Sequence, residues 1–142
     1  MKLYETDYCR WTVETARLLR QGRFQEVDVE HVVEELEDMG NSRPRELRAR
    51  VMRILEHLIK LDLPSSQIVE YNDSQWRRAM ARQRIEIEDL LKESPSLCQT
   101  LDGKMLAEAY RKARRMIQDE YGVNLPQACP YEWQDVLPPQ EH

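Results

Sequence analysis

Two groups of residues have the types and spacing to do chemistry. His31, Glu34, Glu35 and Asp38 stand at i, i+3, i+4 and i+7, the intervals at which side chains share a helix face. Glu56, His57 and Lys60 form the second group, on what reads as the next helix. A carboxylate beside an imidazole can move a proton. A Glu from one helix with a Glu/His pair from others is also the kind of set that holds a metal in a bundle core. If the two helices pack antiparallel, Glu34 or Glu35 approaches His57 or Lys60, and these four are the candidate catalytic residues. Two points weigh against this enzyme reading. Neither E-x-x-H nor H-E-x-x-H occurs in the chain, so the metal motifs are missing. A helical wheel also turns His31, Glu34 and Asp38 away from the apolar side and toward solvent. The favoured reading is a solvated acidic face with a salt bridge between helices, and no metal or cofactor is expected.

Arginines make the second candidate. Arg43, Arg45, Arg48, Arg50 and Arg53 crowd one stretch, while residues 26–38 are an acidic block. Arg77, Arg78, Arg82 and Arg84 cluster further on, as do Arg111, Lys112, Arg114 and Arg115. The net charge of -5 hides this segregation of signs. Arg78 and Arg82 share a helix face and could touch phosphates, with Arg77, Arg84, Arg111, Arg114 and Arg115 as further candidate nucleic-acid contacts. No RNA-binding motif accompanies them. A helix-turn-helix at Met39-Gly40-Asn41 is disfavoured because the following helix is apolar on two edges. Mutual pairing of acidic and basic faces, across the bundle or a dimer, is the simpler expectation.

The three cysteines, Cys9, Cys98 and Cys129, are odd in number and far apart. They fit neither a disulfide framework nor a metal knuckle and read as reduced thiols in a cytoplasmic protein. Cys98 lies near a helix start, where a thiolate is favoured, but no histidine neighbours it in sequence. A small buried hydrophobe is its default role. The N-terminal residues have acidic character and no apolar core, unlike a secretory signal. No run is long enough to span a membrane.

The elements that must position these residues are helices. A hydrophobic fraction of 41%, a charged fraction of 33% and the lack of alternating Val/Ile/Thr runs describe amphipathic helices rather than sheets. Thr6 or Asp7 caps a first helix bearing Tyr8, Trp11, Thr15, Leu18 and Leu19, and Gly22 stops it. Asp28 caps a second, with Val29, Val32, Val33, Leu36 and Met39 on the side expected to be buried, ending at Gly40. Asn41 or Ser42 caps a third over 41–63, with Pro44 in its first turn. Leu47, Val51, Ile54, Leu55, Leu58 and Leu61 form its stripe, and Met52 and Ile59 a second edge, so it is placed at the centre. After a long loop over 64–73, Asp73 or Ser74 caps a fourth helix carrying Trp76, Met80, Gln83, Ile87, Leu90 and Leu91. A fifth starts near Asp102 and carries Leu106, Ala109, Tyr110, Ala113, Ile117 and Tyr121. The tail holds Tyr131 and a single turn from Trp133 to Leu137, and 138–142 is expected to fray.

The order of these pieces resembles a known family. Asp7-Tyr8 to Trp11, Gly22-Arg23-Phe24, Glu34-Glu35-Leu36, Met39-Gly40, His57-Leu58-Ile59-Lys60, Trp76, Arg84, Pro95-Ser96-Leu97, Ala109-Tyr110 and Cys129-Pro130-Tyr131 occur in sequence. Together they resemble the bacterial family catalogued as domain of unknown function 29, common in cyanobacteria. Ile59-Lys60-Leu61 lacks the aromatic that often follows the lysine, and the loop after Leu63 is individual. The resemblance implies an all-helical bacterial cytoplasmic protein and carries no established reaction.

The sequence therefore predicts one all-α domain over 1–142. It is a bundle of about five helices with a short C-terminal tail packed across it. Its expected role is a non-enzymatic protein-interaction or regulatory module that meets a protein partner or a second copy. Nucleic-acid binding through arginine faces is the first alternative. A metal-dependent or acid–base enzyme using Glu34, Glu35, His57 and Lys60 is the second.

Overall fold

The computed structural model describes residues 2–64, 66 and 72–139. Among them every regular element is helical. These are α1 (Leu3–Thr6), α2 (Tyr8–Arg20), α3 (Val29–Asp62), α4 (Asp73–Glu93), α5 (Gly103–Tyr121) and α6 (Trp133–Val136), with 3₁₀ turns at Phe24–Glu26 and Pro95–Thr100. The fold class is the expected all-α bundle. The chain divides into two compact units, Met1–Ser42 and Arg43–His142, and α3 contributes to both. No described helix is long and apolar enough to cross a membrane.

The largest departure from the sequence reading is α3. Separate helices over 28–40 and 41–63 were expected, and one 34-residue helix forms instead. Each presumed break has a local helical solution. Gly40 takes ordinary helical backbone, without the positive φ of a C-terminal glycine. Ser42 does not cap, because its Oγ donates back to the carbonyl of Met39 at 2.8 Å, as serine does inside helices. Pro44 removes one amide from the ladder, which costs about 3 kcal/mol in a helix interior. The carbonyl it deprives belongs to Gly40, which is exposed and open to water.

In the first unit, the Asp7 side chain accepts the Arg10 amide at 3.1 Å and starts α2. Gly22, at φ +71°, follows its end. Trp11 and Thr15 are the buried residues of α2. The short α1 was not foreseen.

The second unit holds the apolar core. Leu47, Val51, Ile54 and Leu55 of α3 are fully buried. They meet Met80, Ile87 and Leu90 of α4, and Leu106, Ala109, Tyr110, Ala113 and Ile117 of α5. These are the positions at which helical spacing puts apolar side chains on one side. Asn72, one residue before the expected cap, starts α4 by accepting the Gln75 amide at 3.1 Å. Asp102 does the same for Met105 at 2.9 Å and starts α5. Gly122, at φ +64°, ends α5. Residues 65 and 67–71 of the long loop, and 140–142 of the tail, lie outside the described residues.

The tail packs across the bundle as expected, and its fastenings are specific. Tyr131 Oη donates to Asp62 at 2.6 Å, and Trp133 Nε1 to the carbonyl of Asp102 at 3.1 Å. Arg84 donates to the carbonyls of Val136 and Asp135 at 2.8 and 3.0 Å. Tyr110 Oη and Arg114 Nε hold the carbonyls of Pro126 and Leu125 at 2.6 and 3.2 Å. Val136 is driven fully into the core.

Candidate functional site

In the first unit the two faces of α3 have exchanged the roles that the helical wheel assigns. The edge packed on α1 and α2 is polar. The imidazole of His31 stacks on the ring of Tyr4, centroids 3.9 Å apart, and Tyr4 meets the buried Trp11 edge-on at 4.8 Å. The Asp28 carboxylate hydrogen-bonds His31 Nδ1, and Lys2 Nζ lies 3.7 Å from Asp28. One turn along, Glu35 accepts the hydroxyls of Tyr4 and Tyr8 at 2.6 and 2.5 Å. These bonds hold the Glu35 carboxyl below the usual range, with the Tyr4 hydroxyl the larger cause and Tyr8 second. The same bonds push both phenols up. The bond to His31 holds Asp28 low.

Rings explain the exchange. The half-buried ring of Tyr4, backed by the buried Trp11, takes the imidazole face, and the acidic groups beside it find hydroxyl and imidazole partners. Burying this polar edge leaves no unmet hydrogen bond at Glu35 or Asp28. His31, expected in solvent, is therefore half-buried, whereas Glu34 and Asp38 are exposed as expected.

The apolar side of the same stretch, expected in the core, faces outward. Val29, Val33, Leu36 and Met39 are 58%, 46%, 60% and 64% exposed, and Val32 alone is half-buried. Exposed Glu30, Glu34, Glu37 and Asp38 border this stripe. A single exposed leucine means little, but four large apolar residues in helical register form a surface.

The second unit holds the other half of the expected catalytic set. Glu34 and Glu35 were expected to reach His57 and Lys60 through a hairpin turn at Gly40. That turn is absent from the continuous α3; Glu35 is held by Tyr4 and Tyr8, and Glu34 is exposed. Glu56 is 3% exposed and takes Arg53 Nη1 at 3.2 Å. Lys60 Nζ lies 5.8 Å from the ring centroids of both Trp76 and Tyr121, as a cation over aromatic faces. His57 is half-buried, and its pKa is lowered to about 4 by burial first, then by the charges of Lys60 and Arg53. It is neutral at pH 7. No group of three or more potential metal ligands converges among the described residues.

The arginines divide by task. Arg84 and Arg114 grip tail carbonyls. Arg77 Nε lies 2.6 Å from Asp73, and Arg78 Nε donates to the carbonyl of Ser74 at 3.3 Å. Arg111 and Arg115 are exposed on α5, and Arg82 is exposed on α4. Cys9 and Cys98 are exposed rather than buried, and Cys129 is half-buried. In the turn that carries Cys98, Leu97 is the residue that fills the core.

The residues that sequence reasoning missed are Tyr4 and its contacts with His31 and Glu35. Tyr4, Tyr8 and Trp11 do have near-helical spacing, but Tyr4 belongs to α1, which the pattern did not announce. A family model for a domain of unknown function, DUF29, matches residues 3–140. No curated protein and no solved structure matches the chain. With nearly all of its length matched, the chain belongs to the DUF29 family.

Proposed function

We propose that this member of the DUF29 family is a protein-interaction module whose docking face is the outward stripe of α3 in the first unit. The observation that carries this reading is the exposure of Val29, Val33, Leu36 and Met39 along one helix face. Apolar surface of this kind gains free energy when covered, and recognition of a helix by a helix uses anchors at this spacing. The border selects the partner. Glu30, Glu34, Glu37 and Asp38 surround the stripe with negative charge, so the fitting partner is an amphipathic segment with an apolar face and basic flanks. Three free thiols, two of them exposed, suit a reducing bacterial cytoplasm.

The test is capture with a photo-crosslinking residue at Val33. A discrete partner should be crosslinked by the unaltered face and lost with Leu36→Asp, and its crosslinked peptide should be apolar and basic. Light scattering separates the other occupant. If the chain is a dimer that Leu36→Asp converts to monomer, the face is a self-interface and the heterologous reading fails.

A further inference from the structure

A cavity of about 330 Å³ opens between α3 and α4 in the second unit, within the size range of small-ligand sites. Arg53 and His57 line it from α3, and Gln75, Trp76, Arg82 and Gln83 from α4. No carboxylate lines it. The glutamines add donors rather than acceptors. Gln75 Oε1 is occupied by Asn72 Nδ2 at 3.0 Å, and Gln83 Oε1 by Arg50 Nη1 at 3.0 Å. Each amide therefore has its NH₂ group left to offer. Arg82 has no ion pair or hydrogen bond among the described residues. Arg53 shares only one edge with Glu56, which does not line the cavity. Trp76, 8% exposed, supplies a flat apolar wall.

We propose that this cavity binds a small phosphomonoester, its oxyanion held by Arg53, Arg82 and the amide groups of Gln75 and Gln83 and its organic body against Trp76. Guanidinium and amide donors without competing carboxylates match phosphate oxygens. An unmet polar atom at the site agrees. Among the described residues, His57 Nδ1 is buried without a hydrogen-bond partner. Buried polar atoms ordinarily have partners, so this one marks a place for a polar contact. Burial first, then the charges of Lys60 and Arg53, oppose a proton on His57, and a bound dianion would offset the charge part.

The test follows the His57 imidazole by NMR during titration with inorganic phosphate and with adenosine monophosphate. Phosphate should bind saturably, with a dissociation constant on the order of 1 mM. The nucleotide should bind about tenfold tighter through Trp76. Saturation with either should move the His57 titration midpoint upward. Arg82→Ala and Gln75→Glu alter exposed side chains and should each weaken binding about tenfold or more, with the unfolding midpoint unchanged. No saturable response to either anion, or equal binding by both variants, would overturn the proposal. Nucleotide no tighter than phosphate would remove the aromatic seat and overturn it as well. Tighter binding of a single-stranded decanucleotide than of the mononucleotide would assign the site to a polymer instead.

Discussion

The imidazole of His31 lies almost parallel to the ring of Tyr4, with planes inclined by 23°. This contact turns the polar edge of α3 inward and leaves its apolar stripe outside. Glu35, one turn further on, is fixed by two phenols. Removing their hydroxyls with Tyr4→Phe and Tyr8→Phe should raise the Glu35 pKa toward its ordinary value, because the bonds that favour the carboxylate are gone. A depressed carboxyl pKa stabilises the fold above the unfolded value and loses that contribution as pH falls through the folded one. The double variant should therefore be less stable at neutral pH and lose less on acidification. Carboxyl-carbon NMR titration and acid unfolding of both proteins check this.

Mutational cost should separate the two apolar stripes of α3. Leu36, 60% exposed, should tolerate Leu36→Ser within about 0.5 kcal/mol in the isolated chain, as surface substitutions do. Leu47, fully buried, should lose about 2–5 kcal/mol as Leu47→Ala. Denaturant unfolding measures both, and an equally large loss at Leu36 would mean that its stripe is covered.

His57 gives a pH dependence of the opposite origin to that of Glu35. Its folded pKa of about 4 lies below the ordinary value of 6.5, so the unfolded chain binds the proton more readily. Stability from keeping this imidazole neutral is fully present above pH 6.5. It is lost progressively as pH falls from 6.5 to about 4. The unfolding midpoint of the unaltered chain should fall across that window, and His57→Gln should flatten the upper part of it, where carboxylates do not yet titrate.

Gly40 is a helical glycine without a glycine's task. A Cβ there meets nothing within 4 Å, and its φ is not positive. Gly40→Ala should stabilise α3 by about 0.5–1 kcal/mol. Slower amide exchange over residues 38–44 is the local measurement, and faster exchange would show that the glycine serves a bend.

The core was legible because it depends on repetition. Leu47, Val51, Ile54 and Leu55 recur at helical spacing, and that repeat marks the main side to be buried. Caps at Asp7 and Asp102 were legible because the chemistry of an N-terminus is local. The single α3 was not, since Gly40, Ser42 and Pro44 are three break signals in five residues, and each is satisfied separately. The inward turn of His31 was hidden for a different reason. A helical wheel ranks faces by hydropathy, and here a ring stack with Tyr4 and two hydroxyls on Glu35 outweigh it. The cavity without carboxylates escaped because it combines residues of α3 and α4, with amide oxygens turned toward Arg50 and Asn72.

The C-terminal tail is gripped by its carbonyls. Arg84, Tyr110 and Arg114 hold oxygens of Val136, Asp135, Pro126 and Leu125, groups that every residue type provides. Such clamps recognise the path of the chain and not its spelling. These contacts would therefore survive a change of side chain at Leu125 or Pro126, whereas each is lost when its gripping side chain is removed. The side-chain anchors Tyr131, Trp133 and Val136 then add the identity that the carbonyl clamps leave open.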